Sequence, residues 1–383
     1  MSDLSHQNTK HHVTREHSRQ ATTPYLSMAG LILSGAIILL LWYYDTAVFE
    51  LEIIPKTGPD FSPYSIGRTI IITGTSLLMI LSIYSLGSDE HGSSRQPSII
   101  LLSIALTYVF LCGIVMLYLV NPAEFHRQSL EDSAIEYTSA LLLLTAAFLY
   151  LQVFVTSLRH QDRTSARIRG IVLAPLCALV LFVIGMEELS WMQRILDINT
   201  PDAFSGNGQG EMNFHNYYTR SSHALYVMGA WGCLIFLPFF LSFGPRVRIL
   251  AHLEGFLPDR RIAALSVPLA GLFYPSWGFM VYQMIFFTSV LIMLIFANHA
   301  RRAGRVGETV LFGTGAVVLA VAQGVFLLTE NRFGRIWDVS EYQEFFIALG
   351  LAALAWSVRR QWQTVLDAPS ASVTGRHLTG SRP

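Results

Sequence analysis

Charge is scarce in this sequence. Only 14% of its 383 residues are Asp, Glu, Lys or Arg, where a soluble domain carries about 25%. The formal net charge is zero, so the basic surplus that attracts nucleic acid is missing. Cysteine is nearly missing too. Cys112, Cys177 and Cys233 each fall inside an apolar run; they form neither a disulfide framework nor metal-ligand spacing, and read as small core residues. No Gly-rich phosphate loop, Ser-centred nucleophile elbow or HExxH occurs. Glu-x-x-His, the di-iron signature of helical bundles, is also absent, as are Asp-rich prenyltransferase motifs and desaturase-type His boxes.

What is present is apolar sequence: 52% of residues are hydrophobic and mean hydropathy is +0.44. Runs near 26–44, 69–86, 98–120, 134–157, 170–188, 223–243, 308–328 and 343–358 approach or exceed the roughly 20 residues that cross the hydrocarbon as a helix. The 262–297 stretch, interrupted by Pro268, Pro275 and Gly278, is too long for one helix. It reads as two spans, or as a short re-entrant piece plus one. The fold class is therefore an all-α, polytopic helical membrane bundle of nine or ten spans. Residues 1–24 and 361–383 read as polar cytoplasmic tails around a transmembrane domain over 25–360. The first tail is expected to be disordered. Its His6, His11, His12 and His17 could bind metal adventitiously, and it lacks the apolar core of a cleavable signal peptide, so the first span is expected to remain.

Lys and Arg set the orientation. With ten spans and a cytoplasmic N-terminus, 19 of the 26 basic residues fall on the cytoplasmic side and seven on the other. A single crossing over 262–297 would move Arg301, Arg302 and Arg305 outside, so ten spans with both termini inside is the preferred count. On this topology 17 of the 26 acids lie outside. Because acids do not set topology, that skew is extra information: it predicts a negatively charged outer mouth.

Glu187 and Glu188, in GMEELSWMQR, close a helix running outward. They sit at its C-terminal end, where the helix dipole disfavours anions. They read either as interfacial glutamates beside the belt residue Trp191, or as a pair answering a cation, with Arg194 as one candidate counter-charge. Glu136 opens an inward helix, and Ser133-x-x-Glu136 fits a capping box; Glu131 and Asp132 also suit a helix start. Glu341 and Glu344 repeat the arrangement, with Ser340-x-x-Gln343 as a second box. His126 and His223 are spare candidates near span ends.

The outer loop over 189–222 holds TPDAFSGNGQGEMNFHNYY. Glu211 and His215 stand four apart, on one face if the chain turns helical. Such a pair grips a metal or serves as base and orienting partner. Gln209, Asn213 and Asn216 add neutral donors and acceptors. The plainer alternative is an ordered loop that satisfies its own backbone.

Glu187-Glu188-x-Ser190-Trp191-x-Gln193-Arg194, then Thr200-Pro201, then Asn207-x-Gln209-x-Glu211-x-Asn213-x-His215-Asn216, preceded by EDSAIEY, resembles a family of bacterial polytopic membrane proteins that carries no assigned activity. The resemblance covers roughly 130–218 and implies a shared outer-face site. Met192 and Asp202 depart from it, standing where Gly and Glu are expected.

Three functional classes follow. An enzyme of the bacterial inner membrane would use Glu187, Glu188, Glu211 and His215 as acid, base or metal ligands. Glu136 and Glu344 would be further ligands, and Ser190, Trp191, Gln193, Arg194, Gln209, Asn213, Asn216 and Glu341 supporting groups. Oxygen-rich ligation favours Mg, Mn, Ca or Fe, and the position favours hydrolysis or group transfer on a lipid or lipid-linked substrate. An ion-coupled transporter and a non-catalytic sensor or assembly factor are the alternatives.

Overall fold

The computed structural model describes residues 25–54, 58–87, 98–130, 133–162, 164–204, 206, 210–214, 217–273, 277–335 and 338–367. Among these every regular element is helical. The long helices are α1 (Tyr25–Val48), α2 (Pro63–Leu86) and α3 (Ser98–Val120), then, after the short α4 (Pro122–Gln128), α5 (Ala134–Arg159), α6 (Ser165–Glu188) and α7 (Thr219–Phe243). After the short α8 (Arg260–Ser266) come α9 (Met280–Arg302), α10 (Val306–Leu328) and α11 (Ser340–Asp367). Eight of them are long and apolar enough to cross a membrane. The chain is a multi-pass helical membrane protein.

Hydroxyl and carboxylate caps start many of these helices. Ser62, Ser133 and Thr164 each accept a hydrogen bond from the backbone N–H three residues on, and Asp259 accepts from Arg261 and Ile262. Such caps satisfy amides that the helix itself leaves open. Hence the expected Ser133–Glu136 box has its N-cap half in place. The second box differs: the Gln343 amide goes to His223 and to the Leu272 carbonyl instead.

Helices α5, α6 and α11 pack closely away from the acidic end. A Cβ on Gly170 of α6 would collide with Ser157 of α5 and Trp362 of α11, and the fully buried Trp362 donates to Ser157 Oγ at 2.8 Å. Consequently α11 continues through Asp367, past the boundary expected at residue 360. At the periphery, α1 is held by a buried charge pair. Arg68 of α2 donates to Asp45 at 2.8 Å, and Tyr64 adds a bond at 2.7 Å. Elsewhere α1 turns outward Leu26, Ile32 and Leu39, at 71%, 70% and 65% exposure, as a lipid-facing surface requires.

The 262–297 region holds one long apolar helix, not two. Before it runs α8, continued by a tighter 3-10 turn over Val267–Gly271 in which Pro268 contributes no amide donor. Most of this piece, including all of Val267–Gly271, is buried by neighbouring helices, the setting in which irregular backbone is tolerated in a bilayer protein. Arg260, at its start, lies over the rings of Phe243 and Phe296. Past its other end, Leu272 O bonds Gln343 and Phe273 N bonds Gln323.

Candidate functional site: an acidic cavity

Five helix ends meet around a cavity of about 630 Å³. The C-terminus of α6 brings Glu187 and Glu188, and the N-termini of α5, α7, α9 and α11 bring Glu136, His223, Tyr282 and the Glu341–Glu344 pair. Their convergence follows from the alternating direction of the helices. Ile54, Val183 and Ile184 supply apolar wall, and Arg220 and Arg335 supply positive charge.

The two adjacent glutamates part company. Glu188 makes a hydrogen-bonded contact with Glu344 and feels Glu341 and Glu136. Carboxylates so placed need a proton or a cation among them, because like charges at this range repel. Glu344 also meets His223 Nδ1 at 3.0 Å, while His223 Nε2 meets Gln343 Oε1 at 2.9 Å. The Gln343 orientation is fixed, since its Nε2 donates to Leu272 O at 2.9 Å. Thus Gln343 Oε1 accepts from the ring, and the His223–Glu344 contact requires one further proton, on the ring or on the carboxyl. A chain of proton-holding groups, Glu188–Glu344–His223, results.

Glu187 turns to the loop instead. Its Oε1 accepts from Trp191 Nε1 and its Oε2 from Phe214 N, each at 2.6 Å. Ser190, Trp191 and Met192 all have positive φ, at 45°, 54° and 66°. For non-glycine residues this conformation costs about 1–2 kcal/mol apiece. The reversal carries Ser190 Oγ to Glu211 Oε2 at 2.8 Å, where Asn213 Nδ2 also donates at 2.6 Å. Arg194 forms an ion pair with Glu211. Gln193 bonds Thr200 Oγ1 at 2.8 Å and accepts from Met212 N at 2.6 Å. Much of the motif thus builds its own loop, and the Arg194 offered to the glutamate pair serves Glu211.

Glu136, Glu187, Glu188, Glu211, Glu341 and Glu344 all line the cavity. Ser190 and Arg194 instead line a small crevice between the loop and α5, where Glu136, Glu188 and Glu211 also appear. His215, Gln209, Asn216, Glu131, Asp132 and the N-terminal histidines lie outside the described residues. His126 bonds the fully buried Asp338 at 2.8 Å, which also accepts from Ser129 at 3.0 Å. This joins α4 to the segment before α11. Among the described residues no three His, Cys, Asp or Glu are arranged to hold a metal ion.

Sequence reading did not single out Tyr226, Tyr282, Arg220, Arg335 or Asp338. Tyr226 lines the cavity, yet its buried hydroxyl has no hydrogen-bond partner among the described residues. A buried unpaired polar group of this kind costs roughly 1–3 kcal/mol. Nothing in its local sequence, HALYVMGAW, marks it.

No known protein family, curated protein or solved structure matches the chain.

Proposed function

We propose that this chain is an enzyme of the bacterial inner membrane that hydrolyses, or transfers a group from, a lipid or lipid-linked substrate in the acidic cavity. The observation that carries the reading is the meeting of Glu136, Glu188, Glu341, Glu344 and His223 in one partly apolar chamber. In hydrolysis one carboxylate takes a proton from water as the water oxygen bonds to the electrophilic carbon or phosphorus. The proton held between Glu344 and His223 passes to the departing oxygen. Positioned acid–base groups of this kind contribute about 10²–10⁴-fold.

In the topology that goes with this reading, α8 and its 3-10 turn make a short crossing. The chain then crosses ten times, both termini are cytoplasmic, and the cavity faces the periplasm. The bacterial assignment draws on the motif resemblance alone. A divalent ion (Mg, Mn, Ca or Fe) is the metal-assisted version, drawing ligands from Glu136, Glu188 and Glu344 after their side chains rearrange. Glu187 and Glu211, expected as catalytic groups, act in this reading by holding the loop at the chamber's edge.

The test uses purified protein supplied with a total bacterial lipid extract, with products followed by mass spectrometry. Glu188→Gln and Glu344→Gln are each expected to lower turnover at least 100-fold while the protein remains folded. Full turnover by both variants would refute the acid–base assignment. Bound-metal analysis of wild type and Glu136→Gln decides the metal version. The carrier reading has one observation of its own, the broken α8 segment ending against Gln343; accumulation of unaltered substrate in proteoliposomes would favour it.

A further inference from the structure

The cavity is rich in carboxylate, and the hydroxyl of Tyr226, a residue of its lining, is buried without a hydrogen-bond partner among the described residues. Glu188 and Glu344 touch each other, with Glu136 and Glu341 close enough to add their repulsion. Tyr226 stands within electrostatic reach of Glu188 and Glu344. A ligand suited to this place brings positive charge together with several N–H donors: it replaces the proton held between Glu188 and Glu344, after which both carboxylates accept, as the phenol oxygen does. Such a cation also gains from nearby aromatic rings, and Tyr226 and Tyr282 both belong to the lining. A compact metal ion would need three ligands converging on one point, an arrangement not found among the described residues.

We infer that the cavity binds a primary organic ammonium, the amine of an aminolipid headgroup, with Glu188, Glu344 and Tyr226 as its acceptors. We place the source in the lipid because part of the lining lies on an apolar, exposed stretch of α6. Val183 lines the cavity and is also 38% exposed on α6, beside the outward-facing Val180 and Phe182. Arg335, on the same lining, is paired with Asp338 at 3.3 Å, and its half-exposed guanidinium is the group nearest to hand for the headgroup's phosphate. The inference rests on the proposed lipid-handling site and names its substrate class.

The test is native mass spectrometry of the intact protein in detergent with phosphatidylethanolamine, phosphatidylcholine or phosphatidylglycerol, read as binding without turnover. Phosphatidylethanolamine is expected to be retained about tenfold better than the choline lipid, which has no N–H, and the glycerol lipid, which has no cation. Tyr226→Phe is expected to cut that retention about tenfold while leaving the ligand-free melting temperature equal or higher, because it deletes an unpaired hydroxyl. Glu344→Gln should likewise remove the preference. Free ethanolamine that binds in a Tyr226-dependent way, with no lipid retained, supports the ammonium chemistry and overturns its lipid source. Equal retention of the three lipids, or a Tyr226→Phe variant that melts lower and binds normally, overturns the inference. A protein that selects the aminolipid but turns nothing over refutes the enzymatic reading alone.

Discussion

Successive residues on a helix point about 100° apart, and at the end of α6 that angle separates two glutamates into two tasks. Glu188 faces the helix ends that bring Glu344 and Glu136, and Glu187 faces the loop that begins at Trp191. Glu187→Gln should therefore act on loop order: faster hydrogen exchange over 189–214 is expected, with the cavity otherwise intact. Glu211→Gln removes the charge that pairs with Arg194 and accepts from Ser190 and Asn213. Bonds to charged groups of this kind are worth about 2 kcal/mol, and the loss is expected as a lower melting temperature in detergent. On the loop before α2, Asp60 is held below its ordinary carboxylate value of 3.8 by hydrogen bonds from Ser62 and Ser65. That contribution is present above the ordinary value and is lost as pH falls through the lowered one. Melts of Asp60→Asn should accordingly differ from wild type at pH 6 and converge with it as pH falls through the lowered value.

At the scale of elements, composition and spacing were enough to locate the long apolar helices, because a bilayer demands uninterrupted apolar length. For α8 the same reasoning left two alternatives open, a second span or a short re-entrant piece before one span. The apolar residues of α8 are buried by other helices, and a protein-buried segment obeys no rule of membrane thickness. The site was half legible. Local pattern pointed to Glu187, Glu188 and Glu211, since a doubled acid at a helix C-terminus and a Gly-rich polar loop are visible along the chain. The His223–Glu344 contact spans 121 positions, and only packing creates it. Two helix contacts invite direct tests. Gly170→Ala drives a methyl into Ser157 and Trp362, and overpacking of this kind costs about 1–3 kcal/mol. Asp45→Asn leaves Arg68 buried without its charge partner. A loss of about 3 kcal/mol is expected, with α1 becoming more accessible to protease.

For the molecule as a whole, the proposed orientation is the premise that gives the acidic cavity its compartment. Ile195, in the loop after α6, and Ile249, beyond the end of α7, are 54% and 69% exposed. In intact cells, Ile195→Cys should react with an impermeant maleimide and Ile249→Cys only after lysis; the reverse pattern would turn the chain over and place the cavity in the cytoplasm. The left-handed turn at Ser190–Met192 has a consequence for the stability of the whole chain. Met192, at φ 66°, holds a conformation that is inexpensive for glycine and costly for a residue with a side chain. Met192→Gly therefore has a defined physical sign: it is expected to relax the turn and raise the melting temperature. A fold that keeps methionine there either has stability to spare or uses the side chain for something a bare backbone cannot supply.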